Sequence, residues 1–226
     1  MELIYCASGN KKFAEIAINA GFKYGSQLPF TVYYSPYFVD QNWKSPNRQS
    51  YFEAVAKHKP HMATVLDWER MAQLPEILSW AEEAASHVEV VVVIPKVQRG
   101  IDFIPHVIGG KPVRLGYSVP TSYGGTPLPY SDFIGRDVHL LGGSPEKQLR
   151  LTKYLNVKSV DCNYHMGMAT KFNKFWHGGK WVRVETVAGF VAKDAPYRAF
   201  ELSCQNMIHA WGGGVNLAAG QLELAI

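Results

Sequence analysis

The sequence predicts a single α/β domain, a compact (β/α)8 barrel of the TIM type. Three observations carry that expectation. Short apolar or β-branched runs alternate with helical or turn-forming segments over residues 1–163, giving eight candidate strands with helices in at least four of the gaps. The repeated strand-then-helix order implies parallel strands joined by right-handed crossovers. The 226 residues suit one such barrel at the short end of its size range, and hardly two domains. An open doubly wound sheet is the competing reading. Neither a GxGxxG nor a P-loop spacing is present to favour it.

The elements follow in order. LIYCA (3–7) is an apolar strand ending at the breakers Ser8, Gly9 and Asn10. Phe13, Ile16, Ala17 and Ala20 share one helical face over 11–21, and Gly21 suits the position after the helix. FKYGS (22–26) reads as a second strand, and TVYYSPYFVD (31–40) as a third that Pro36 must bend or shorten. A helix over 47–58, the strand MATVLD (62–67) and an amphipathic helix over 73–87 come next. VEVVVVIP (88–95) has the continuous apolar character of a strand covered on both faces. PVRLGYSV (112–119), VHLLGG (138–143) and KSVDC (158–162) complete the eight. Between the last two, a helix over 144–156 opens with Ser144 as N-cap and Pro145 in its first turn. From about residue 163 the chain reads as a closing helix and a C-terminal helical appendage to the one domain, 1–226.

Composition narrows the class. Apolar residues are 47% and charged residues 19%, enough to pack a core and too apolar for wholesale disorder. The net charge of +4 permits a nucleic-acid partner without demanding one. Cys6, Cys162 and Cys204 form no CxxC pair, so neither a structural zinc of the usual spacing nor a disulfide framework is expected. A reducing cytoplasm fits best. The N-terminus lacks a signal-peptide layout, and the apolar run at 88–95 is too short to span a bilayer, so no membrane partner is expected.

In a barrel the chemistry gathers at the C-terminal ends of the strands. Three strands end there in a carboxylate, namely Asp40, Asp67 and Asp161. Three acids on one rim repel one another, an arrangement expected where chemistry or a ligand needs it. The alternative for each is a helix N-cap. No HxH, HExxH or GxSxG occurs, so neither a metal, a cofactor nor a serine nucleophile is expected. Two carboxylates can instead run a double displacement at an anomeric carbon, one attacking and the other moving protons.

The segment VHLLGGSPEKQLRLTKYLNVKSVDCN (138–163) resembles the last two strands of the tRNA-guanine transglycosylase family. A Gly-rich strand end, a Ser-Pro helix start, the helix and a Val-Asp-Cys strand arrive in the family's order. The resemblance implies that Asp161 is the nucleophile. ATVLDWE (63–69) is similar to the family's base-binding strand, which implies that Asp67 holds the guanine-like base. Val39-Asp40 lies near the family's proton-transfer aspartate, although the Ser-Gly-Gly-Phe that follows it there is absent. Gly116, Tyr117 and Ser118 stand where the base pocket would be, with Tyr117 able to stack. Gly142 and Gly143 leave backbone open to sugar or phosphate, and Gln98 could reach the base. The family's zinc ligands are missing. The compact, zinc-free form is similar to phage and bacterial transglycosylases that insert 7-deazaguanines into DNA. The resemblance thus implies DNA as partner, with tRNA the alternative, a guanine or 7-deazaguanine base as co-substrate, and the cytoplasm, the host's if phage-borne, as its place. A base-releasing hydrolase and a non-catalytic nucleic-acid-binding barrel are the rival classes. Lys171, Lys174, Lys180 and Arg183, interleaved with Phe172, Phe175, Trp176 and Trp181, could bind phosphates and stack bases; the alternative is an amphipathic closing helix. The oligomeric state is left open.

Overall fold

The computed structural model describes residues 1–212 apart from Ala7, Ser8, Tyr123 and Phe190. Ala7, the end of the first expected strand, Ser8, the breaker after it, and 213–226, the last part of the expected C-terminal appendage, thus lie outside the described residues. Eight parallel strands close into a barrel with helices packed around it. In chain order they are β1 (Glu2–Cys6), β2 (Lys23–Leu28), β3 (Phe38–Gln41), β4 (Met62–Trp68), β5 (Val90–Pro95), then, after the two-residue β6 (Val107–Ile108), β7 (Lys111–Ser118), β8 (Asp137–Leu141) and β9 (Asn156–Asp161). Neighbours pair in sequence order, β5 pairs with β7 across β6, and β1 pairs with β9 to close the ring. β6 is an antiparallel flap on β7 and takes no place in the barrel.

Helices α1 (Lys11–Asn19), α2 (Arg48–His58), α3 (Leu74–Ala85) and α4 (Pro145–Leu151) fill the β1–β2, β3–β4, β4–β5 and β8–β9 connections. Their starts follow the local chemistry. Asn10 and Asn47 cap α1 and α2 by accepting hydrogen bonds from the Lys12 and Ser50 amides. Ser144 precedes Pro145 as expected, but its hydroxyl makes no capping bond.

Three expectations are corrected. The third strand is only residues 38–41, because Pro36 has no N–H to give to a ladder and 31–37 run irregularly. The helix expected to 156 stops at 151, and Asn156 already belongs to β9, its side chain donating to Asp137 Oδ1 at 2.6 Å. The stretch 171–183 is no single helix. It is the end of α5 (Tyr164–Phe172) and an antiparallel hairpin of β10 (Lys174–His177) and β11 (Lys180–Arg183), turned at Gly178-Gly179. The chain then forms α6 (Ala195–Gly212), which seals the barrel beside α1: Phe200 packs on Tyr5, Phe13 and His165 at ring distances of 5.1, 4.9 and 4.8 Å.

The core has two layers. Outward-facing residues such as Val39, Val65, Val91, Leu115, Leu140 and Val160 pack under the helices. Inward-facing Ile4, Phe38, Met62, Val90, Val92 and Ile94, with Cys6 and Leu141 against them, fill the barrel. β5 is buried throughout, as its run of valines predicts. Glycine makes room where strands crowd. A Cβ on Gly116 would stand 2.6 Å from Ile94 Cγ1 and 2.8 Å from Leu141 Cδ1. Gly116→Ala should therefore lower stability by about 1–3 kcal/mol through overpacking. Urea denaturation measures this, and an unchanged midpoint would contradict the packing of Ile94 and Leu141 over this position.

Candidate active site at the barrel mouth

Asp40, Asp67 and Asp161 lie at the C-terminal ends of β3, β4 and β9 and meet at one mouth. None of them caps a helix. Asp40 follows the alternation of β3, and two register shifts place Asp67 and Asp161. Val92 and Ile94 face inward; Thr64 pairs with Val92, but Asp67, not Leu66, pairs with Ile94. Strict alternation from Thr64 would have turned Asp67 outward, and the extra residue in β4 re-aims it into the mouth. On β9, Val157 pairs with Val138 and Ser159 with His139, so Lys158 is the extra residue. Ser159 and Asp161 both face inward as a result.

Each acid meets its charge problem differently. Asp67 Oδ2 is 2.5 Å from Lys96 Nζ, which extends from the end of β5 and also approaches Glu69 at 3.7 Å. The Gly142 amide is shared between the Asp161 carbonyl, at 3.1 Å, and Asp161 Oδ1, at 3.3 Å, and Oδ1 lies 3.4 Å from His139 Nε2. Among the described residues no cation pairs with Asp40. Thr64 Oγ1 donates to its Oδ1 at 2.7 Å. Burial pushes the Asp40 carboxyl up to about 7, and the charges of Asp161 and Asp67 push the same way, against the Thr64 hydrogen bond. Burial, and then Asp161 and Asp40, also push the Cys6 thiol well above its usual range, so it stays protonated at the mouth.

The turn after β8 is braced to β9. Gly142 and Gly143 have φ of +61° and +83°, and a Cβ on Gly143 would lie 2.6 Å from Val119 Cγ1. The fully buried Gln148 of α4 donates from one amide nitrogen to the carbonyls of Gly142, at 2.7 Å, and Asp161, at 2.8 Å. Cys162 Sγ donates to the Gly143 carbonyl at 3.3 Å. These contacts set the height of the Asp161 backbone against the Gly142 amide.

Other expected site residues fall differently. Tyr117 points away from the mouth. It pairs with outward-facing Leu140 and packs edge-on against Phe133 at 4.9 Å, because alternation along β7 turns Gly116 and Ser118 inward. Gly116 is filled over by Ile94 and Leu141, and the Ser118 backbone is bonded to Thr126. Gln98 is exposed and lines a surface cleft with Arg99, Ile101, Asp102, Leu128 and Asp132, apart from the three acids. Lys171, Lys180 and Arg183 are exposed on α5 and the hairpin, and Lys174 is half-buried. Phe175 and Trp176 are buried, while Phe172 is exposed and Trp181 lies against Tyr164, three residues beyond Asp161.

Sequence reasoning missed Lys96, His139 and Gln148. Only His139 left a signal: in VHLLGG it is the polar residue at an inward position of an alternating strand.

An Asp whose carboxyl is raised on folding takes up a proton as the chain folds between its unfolded and folded values. Stability is therefore lost as pH rises through that window, from about 4 to about 7 for Asp40. Asp40→Asn should gain on wild type across this range and be more stable by about 2 kcal/mol at pH 8. Paired urea titrations at pH 4 and pH 8 measure it. A constant difference between the two proteins would show that Asp40 is not the strained acid.

No curated protein matches the sequence. A family model described as a family of unknown function, DUF6610, matches residues 16–212, and the chain belongs to that family.

Proposed function

We propose that the protein is a transglycosylase that exchanges guanine in DNA for a 7-deazaguanine base through a covalent glycosyl-aspartate on Asp161. One observation carries the reading. The mouth holds two carboxylates in unlike surroundings: Asp161, with one oxygen near two donors, and Asp40, whose carboxyl is pushed up to about 7. Double displacement at an anomeric carbon needs such a division between a nucleophile and a group that carries protons near neutral pH. The resemblance of SVDCN and ATVLDWE to the transglycosylase strands supports the same assignment.

In this mechanism Asp161 attacks C1′ of a deoxyguanosine unit as the C1′–N9 bond breaks. Asp40 gives its proton to the departing guanine. The incoming base returns a proton to Asp40, attacks C1′ and releases the Asp161 carboxylate. Two inversions retain configuration. Lys96 occupies one oxygen of Asp67, so the other is offered to the N1–H and 2-amino edge of the base. The ammonium of Lys96 can meet the O6 acceptor, a pairing that an adenine would leave unsatisfied. The target nucleotide must leave the duplex to reach these groups. Exposed Lys171, Lys180 and Arg183 and the exposed ring of Phe172 supply phosphate and stacking contacts for the flanking strand.

Wild type incubated with a guanine-containing oligodeoxynucleotide should yield a covalent adduct on a denaturing gel, and Asp161→Asn none. Labelled guanine should enter DNA and not tRNA. Labelling of tRNA alone would move the substrate to RNA, guanine release without exchange would point to a hydrolase, and no adduct with either polymer would refute the mechanism.

A further inference from the structure

The barrel interior below Asp161 is polar in one file. Tyr37 Oη donates to Glu2 Oε1. Glu2 Oε2 accepts from Arg114 Nη1 at 2.6 Å, and the same guanidinium nitrogen donates to Ser159 Oγ at 2.9 Å. Ser159 Oγ lies 2.7 Å from His139 Nδ1, and His139 Nε2 faces Asp161 Oδ1 at 3.4 Å. The His139 ring is wholly buried against Phe38, at 4.7 Å between ring centres, and its Nε2 has no hydrogen-bond partner among the described residues. The titratable and charged groups around it are Asp161 on β9, Arg114 on β7, Glu2 on β1, and Asp40 on β3, which feels Asp161.

The file has a direction. Burial pushes the Glu2 carboxyl up, but the bonds from Tyr37 and Arg114 outweigh it and leave Glu2 below its usual value, a carboxylate that anchors Arg114. A guanidinium only donates, so Ser159 Oγ accepts from it and has one hydrogen to give; His139 Nδ1 at 2.7 Å is a far nearer acceptor for it than Met62 Sδ at 3.9 Å. An imidazole that accepts at Nδ1 carries its proton on Nε2, pointing at Asp161. The other neutral tautomer would set a lone pair against the carboxylate.

We infer that His139 is a positioning residue for Asp161, held in its Nε2–H form by the Arg114–Ser159 file, so that Oδ1 is anchored by His139 and Gly142 and Oδ2 is left for bond formation. This rests on Asp161 being the nucleophile. At 3.4 Å the contact is longer than a formed hydrogen bond, and in the proposed mechanism it tightens when substrate is bound.

Two measurements test it. In the full chain labelled with ¹⁵N-histidine, long-range ¹H–¹⁵N spectra at pH 7 should show His139 as the Nε2–H tautomer. Asp161→Asn should move that signal and leave His165 in place, and Ser159→Ala should weaken the tautomer preference. An Nδ1–H form, an imidazolium, or indifference to Asp161→Asn overturns the inference. Adduct formation with the guanine oligodeoxynucleotide should then fall roughly 100-fold in His139→Leu at unchanged DNA affinity. His139→Gln, which returns an N–H near the same place, should restore most of the rate. If His139→Leu does not fold, the gentler Ser159→Ala carries the same comparison, with about a 10-fold loss expected. Equal rates in these variants and wild type overturn the inference. No adduct from wild type, with the tautomer and its response to Asp161→Asn intact, sinks the transglycosylase reading while upholding the hold of His139 on Asp161.

Discussion

The alternation of side chains along the barrel strands, interrupted at two places, is the constraint on which the site depends. A strand presents every second residue to the interior, so a carboxylate reaches the mouth only if its parity agrees with the residues that fill the barrel below it. β3 meets that condition directly, with Phe38 and Asp40 both inward. β4 and β9 meet it through one extra residue each, between Thr64 and Asp67 and at Lys158. These irregularities allow the valine and isoleucine side chains of β5 to pack below while Asp67 and Asp161 turn into the same space above.

Bringing three acids together creates a problem of charge that the surrounding residues solve three ways. Lys96 neutralises Asp67 directly. The Gly142 amide and His139 Nε2 face one oxygen of Asp161. Asp40 receives the Thr64 hydroxyl and the Gln41 backbone but no cation among the described residues, and its burial beside two other acids keeps a proton on it up to about pH 7. Three chemically identical side chains thereby acquire unlike characters, a paired ion, a carboxylate held at one oxygen and an acid raised toward neutral pH, the division that the proposed mechanism uses. The mouth is held to these positions from outside the barrel as well. Gln148 ties the carbonyls of β8's glycine turn and β9's end together with one amide, so the height of Asp161 is set by backbone that cannot slip without breaking buried hydrogen bonds.

The sequence by itself determined the barrel and the candidate acids. Apolar runs at strand length, glycine and proline between them and helical periodicity in four gaps are local signals, because they reflect what a short segment does with its own backbone and one apolar face. Local chemistry also located Pro36 as the break in 31–40, though not how much of that run it would remove. The order Gly-Gly, Ser-Pro, helix and Asp-Cys was likewise visible, since it lies within one stretch of chain.

Tertiary structure alone decided which side chains share the mouth. Tyr117 was read as a stacking ring and lies outside, because its neighbours Gly116 and Ser118 take the inward parity of β7. Gln98 follows a barrel strand in sequence yet turns to a different cleft. Lys96 and His139 come from strands whose acids are elsewhere, and no local pattern ties Lys96 to Asp67 across 29 residues or Arg114 to Glu2 across 112. Such pairs exist only once eight strands close at one shear. The register shifts that aim Asp67 and Asp161 are properties of two paired strands, and neither strand carries them alone.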